Sequence, residues 1–150
     1  MLATVMPQIP GHNAEAQLTL RSELADLARV PPWVEALAIE NAIADTTRFA
    51  IDLCLEEALS NVIRHGYREQ PDHAITVNFT VDEVTGLTFT IEDQAPPFAP
   101  VEPTEPQETR TLEEITPGGQ GIRLMLRFAR TLVYEQLPGG NRLTMGFPRT

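Results

Sequence analysis

The sequence predicts an α+β two-layer sandwich, a mixed and mostly antiparallel sheet with helices on one face. Strand-like segments are apolar only at alternate positions, so each has one dry and one wet face. Two pairs of these segments are joined by short turns, as hairpins are. The order is strand, helices, hairpin, loop and helix, hairpin, which an antiparallel sheet covered on one side by helices satisfies. A chain of 150 residues supports one core of this kind, not two.

Residues 1–14 hold two prolines, a glycine and an asparagine and read as a flexible arm, leaving residues 15–150 as a single domain. In AEAQLTLRSE, Ala16, Leu18 and Leu20 share one side of a first strand. Ser22 is placed to cap a helix running to Arg29; Pro31-Pro32 interrupts it, and Pro32 opens a second piece, WVEALAIENA. Asp45 starts the longest helical pattern. From Thr46 to Arg64, Phe49, Leu53, Ala58, Leu59, Val62 and Ile63 contribute an apolar face, and Gly66 stands at its stop. After Gln70-Pro71-Asp72 the period falls to two: Ile75, Val77, Phe79 and Val81 share a face, Thr85-Gly86 turns, and Leu87, Phe89 and Ile91 share the next. From Asp93 to Gly121 the chain is proline-rich and aperiodic, the mark of a functional or disordered loop. The last quarter reads helix Ile122 to Arg130, strand TLVYEQ, turn Pro138-Gly139-Gly140-Asn141 and strand RLTMGF.

Composition excludes several chemistries. The formal charge is −10, which repels nucleic-acid phosphate and anionic lipid, so neither nucleic acid nor membrane is an expected partner. All eleven basic residues are arginine. Without lysine there is no Schiff base, no pyridoxal-phosphate anchor and no Walker-A loop, so any phosphate is held another way. Cys54 is alone, excluding a disulfide framework, and no apolar run reaches secretory or membrane-spanning length. A reducing cytoplasm is the expected compartment.

Three stretches carry polar or glycine residues where periodicity predicts something duller. In LCLEEALSNVIRHGY, Glu57 and Asn61 are four apart and lie on one helix face. That spacing suits a shared divalent cation, or a metal ligand beside a group orienting a hydroxyl; it also suits a solvated face. In FTIEDQAPPFAP, Asp93 comes off the end of a strand, where a carboxylate accepts from an amine or merely ends the strand. In TPGGQGIRLMLRFA, Gly118, Gly119 and Gly121 feed a helix start, whose unpaired N–H groups aim at an anion. Alone, each is weak.

Their order is informative. Glu-x-x-x-Asn before His-Gly-Tyr, then Asp at a strand end, a long proline-rich loop, and Gly-Gly-x-Gly-Ile-x-Leu-Met opening a helix resembles the Bergerat-fold ATPase superfamily (GHKL, HATPase_c). Within it, the chain resembles the anti-sigma-factor serine/threonine kinases over about residues 16–147. The resemblance implies that ATP and Mg²⁺ are the cofactors, that Asn61 is the metal ligand, and that Glu57 polarises the attacking hydroxyl. It further implies that Asp93 binds the adenine amine, that Ala95 lies in the nucleotide pocket, and that Gly119, Gly121, Ile122 and Arg123 sit at the phosphates. Arg110 is a second arginine for that role. Residues 99–117 would form the ATP lid. The implied activity is phosphorylation of a small protein partner, an anti-anti-sigma-like phosphoacceptor, with a sigma factor as client; a homodimer is compatible with it.

Two positions depart from the family pattern. Ala95 stands where glycine is usual, and Ala99 where this branch often has an acid. An alanine forced to positive φ costs about 1–2 kcal/mol and its methyl crowds the adenine. These positions favour the alternative, a non-catalytic, nucleotide-gated module that sequesters a sigma factor or other regulator. A histidine-kinase ATPase half is disfavoured, because residues 1–45 offer no helical hairpin with a phosphoacceptor histidine.

Overall fold

The computed structural model describes residues 14–84, 86–97 and 119–149. The proposed lid, with Ala99 and Arg110, and most of the N-terminal arm lie outside these. Five strands form one sheet: β1 (Ala14–Arg21), β2 (Ala74–Asp82), β3 (Gly86–Asp93), β4 (Thr131–Leu137) and β5 (Gly140–Phe147). Their spatial order is β1-β2-β3-β5-β4. All four pairings are antiparallel.

Register builds the core rung by rung. Phe79 faces Phe89, which faces Met145; Ile91 faces Leu143, and Leu87 faces Phe147. Each of these side chains is buried. Burying a side chain of this size contributes about 1.5–3 kcal/mol, so a one-residue slip that exposed them all is strongly opposed. Phe89 is central: its ring lies 5.0 Å from Phe79, 6.0 Å from Phe147 and 6.0 Å from Trp33. Gly86 enables the tight turn between β2 and β3. Gly86 has φ +88°, and a Cβ there would meet the Phe147 carbonyl at 2.6 Å.

The helical layer covers one face. It consists of α1 (Val30–Asn41), α2 (Asp45–Asn61) and α3 (Gly119–Phe128). A 3₁₀ turn, Leu24–Arg29, leads without a break into α1, so Pro31-Pro32 does not interrupt a helix; the prolines occupy its first turn, where a missing N–H costs nothing. Ser22 does not cap that turn. It is fully buried, accepting from the His73 N–H at 3.2 Å and donating to the Gln70 carbonyl. The inner stripe of α2 is Thr47, Ala50, Ile51, Cys54, Leu55, Ala58 and Leu59. Phe49 falls outside that stripe and is exposed, meeting Phe128 of α3 edge-on at 6.3 Å.

Beyond Asn61 the helix widens into a π turn, Val62–Gly66, closed by the Tyr67 N–H on the Val62 carbonyl at 2.8 Å. Single π turns of this kind recur at functional sites.

Candidate functional site

The three polar stretches converge on one end of the helical layer. Asn61 closes α2; it is 9% exposed, and its carboxamide makes no hydrogen bond to a described residue. Glu57 lies one turn earlier and is half-buried. Immediately below, Cys54 is a core thiol pushed up to about 12, by burial first and then by the Glu57 charge. A thiol held protonated is no nucleophile.

Tyr67 ties this end of α2 to the third strand. Its hydroxyl donates to the Ala74 carbonyl at 3.3 Å and accepts from the Gln94 N–H at 2.7 Å, while its ring stacks on His73 at 4.5 Å. Gln94 follows Asp93. The π turn therefore draws the loop after β3 against the C-terminal end of α2. A cavity of about 350 Å³ lies there, bounded by His65, Tyr67, Arg68, Gln94 and Pro97.

Asp93 continues the inward parity of β3 (87, 89, 91, 93), so a carboxylate occupies the last rung of the apolar ladder. Its partner across the rung is Asn141, inward on β5. Asp93 Oδ1 accepts from Asn141 Nδ2 at 2.8 Å and from the Ala95 N–H at 2.8 Å. Its Oδ2 receives no hydrogen bond from a described residue. Burial pushes the Asp93 carboxyl above the usual carboxylate range, against the hydrogen bonds from Asn141 and Ala95 that lower it. Gly140 makes the rung this close: a Cβ there would lie 2.1 Å from the Asp93 carbonyl oxygen.

Ala95 is buried, yet it does not have positive φ; Ala42, Arg68 and Glu69 are the non-glycine residues that do among those described. The expected strain at Ala95 is absent, and with it the backbone argument for weakened nucleotide binding.

The glycine segment also differs from expectation. Among the described residues, Gly119 and Gly121 lie within helix α3 rather than in a loop. The N-terminal end of a helix carries N–H groups without intrahelical acceptors and a positive dipole. Among the described residues, helices α2 and α3 pack against each other. Phe49, near the start of α2, meets Phe128, the last residue of α3. Packed along their lengths with those ends together, the helices run antiparallel, and the start of α3 lies toward the Glu57–Asn61 end of α2. Arg123 is exposed on α3.

Two residues of this site, Asn141 and Tyr134, are not anticipated from motifs. The trace in the sequence is parity: residues 141, 143, 145 and 147 alternate inward, and an amide at an inward position calls for a buried partner.

Residues 20–147 match the family described as Histidine kinase-like ATPase domain. The chain is 31% identical over 114 residues to a protein of Bordetella bronchiseptica named Serine/threonine-protein kinase BtrW, covering 75% of this chain and 79% of that one. It is 25% identical over 117 residues to an Anti-sigma F factor of Heyndrickxia coagulans, covering 78% of each chain. An Anti-sigma F factor of Geobacillus thermodenitrificans is 25% identical over 120 residues, covering 79% of this chain and 80% of that one. No helix among the described residues is long and apolar enough to cross a membrane.

Proposed function

The chain belongs to the histidine kinase-like ATPase family, and from that premise we propose that it is an anti-sigma-type serine/threonine protein kinase acting in the cytoplasm. Its substrate is a hydroxyl of a small, anti-anti-sigma-like protein, and a sigma factor is its client. The observation that carries this reading is the pair on α2, a half-buried Glu57 one turn from the Asn61 carboxamide that has no partner among the described residues. Kinase and anti-sigma names among the relatives support it.

The site fits MgATP. A carboxamide without a partner among the described residues is a suitable ligand for a hard cation. No group of three His, Cys, Asp or Glu side chains able to hold a metal occurs among the described residues, so Asn61 would share Mg²⁺ with phosphate oxygens and water. When bound, the ion supplies charge neutralisation at the phosphates. Asp93 Oδ2 accepts from the exocyclic amine of adenine, and the α3 N–H groups receive phosphate oxygens. Glu57 orients the attacking hydroxyl and takes its proton.

Transfer of labelled phosphate to a partner recovered by co-purification tests this. Glu57→Ala is expected to bind MgATP normally and lose transfer by about 10²–10⁴-fold, the usual worth of a general base. Asn61→Ala is expected to lose the magnesium dependence of binding. Undiminished transfer by Glu57→Ala would remove that residue from the chemistry.

A further inference from the structure

We infer that Asn141 and Tyr134 are positioning residues, which together orient the Asp93 carboxylate so that it reads the amino group at position 6 of a purine. The inference rests on the nucleotide role proposed for Asp93. Asn141 is 2% exposed, and both ends of its carboxamide are hydrogen-bonded. Its Nδ2 donates to Asp93 Oδ1 at 2.8 Å and to the Ala95 carbonyl at 3.1 Å, while its Oδ1 accepts from the Tyr134 hydroxyl.

Tyr134 selects this orientation of the amide. Were the carboxamide flipped, its oxygen would face a carboxylate and a carbonyl, three acceptors with no proton among them, and its NH₂ would compete with the phenol proton. The phenol therefore works two bonds away from the ligand. With Asn141 so fixed and the Ala95 N–H at 2.8 Å from the same atom, Asp93 Oδ1 is saturated and the carboxylate cannot rotate without losing both donors. Oδ2 is the acceptor left to a ligand. An acceptor held there favours an amino group and disfavours a keto oxygen at the same ring position.

Calorimetric titration compares MgATP with the magnesium complex of purine riboside triphosphate, which lacks only the 6-amino group. Wild type is expected to favour ATP by about tenfold or more, the worth of a hydrogen bond to a charged acceptor. Asn141→Leu and Tyr134→Phe are expected to bring that ratio toward one, with the affinity for the desamino analogue changing less than about threefold. Melting temperatures are read alongside. Should Asn141→Leu fail to fold, Tyr134→Phe, which removes a single hydroxyl, decides. Variants that keep the wild-type ratio, or lose both ligands in parallel, overturn the positioning role and leave Asp93 as the purine reader. Equal binding of the two triphosphates by wild type overturns the nucleotide role of Asp93, and the positioning role with it.

Discussion

At the scale of single residues, the role proposed for Asp93 is set against stability. Its carboxyl is held above the ordinary range chiefly by burial. A carboxyl with a raised folded-state pKa binds its proton more tightly when folded. Its contribution to stability is therefore greatest at acid pH, and is lost as pH rises from the unfolded value through the folded one. At neutral pH the ionised side chain is a cost. Asp93→Asn keeps an oxygen for the Asn141 and Ala95 donors, removes the buried charge, and replaces the free acceptor with a donor. The variant is expected to melt at or above the wild-type temperature at pH 7, and to bind MgATP at least about tenfold more weakly. Loss of stability in the nucleotide-free protein would show that the charge is compensated by groups other than those named. The sequence marks Asp93 by its place at a strand end, but the residues that restrain it come from β4 and β5, some forty to fifty positions on. Asn141 and Tyr134 enter the site only through the β3–β5–β4 pairing order, which local periodicity does not encode.

At the scale of elements, the strands were legible because one-sided burial requires alternation. Ile75 to Val81, Leu87 to Ile91 and Leu143 to Phe147 are buried at the alternating positions that the pattern assigns. Helix boundaries were less legible where a tertiary contact outweighs a local preference. Ser22 looks like a cap because it precedes a helical run, yet the Gln70 carbonyl and His73 N–H take its hydroxyl instead. That lock secures the entry of β2 to the exit of β1. Ser22→Ala removes the hydroxyl that both backbone groups use and is expected to destabilise by about 0.5–1.5 kcal/mol, measured as a lower midpoint in urea with an unchanged m-value. The β5 start is still less tolerant. With a Cβ at residue 140 only 2.1 Å from the Asp93 carbonyl oxygen, Gly140→Ala must part β3 from β5 at the Asp93–Asn141 rung. Nucleotide binding is expected to fall further than stability does, because the rungs from Ile91–Leu143 onward are apolar and remain in register. A Gly140→Ala protein that binds MgATP like wild type would show that the rung does not position Asp93.

At the scale of the whole molecule, the difficulty is electrostatic: a chain of net charge −10 is proposed to hold a polyanion without one lysine. Three of its eleven arginines are each held by two carboxylates. Arg142 is engaged by Glu92 and Glu135, Arg48 by Glu35 and Asp52, and Arg21 by Glu23 and Asp72. In the proposed reading attraction is local, from a cation at Asn61 and the N–H groups of α3, while the long-range field opposes approach. Salt acts differently on the two. Mobile ions screen interactions beyond about 10 Å at 0.1 M, so they weaken the distant repulsion and leave short contacts in a protected site nearly intact. Affinity for MgATP at fixed free magnesium is therefore expected to stay level, or to rise by up to about twofold, as NaCl goes from about 50 to about 300 mM. A pocket lined by exposed arginine would behave in the opposite sense. A tenfold fall in affinity over that range would transfer the phosphate-holding role to Arg68, Arg123 or Arg110 and away from the main chain of α3.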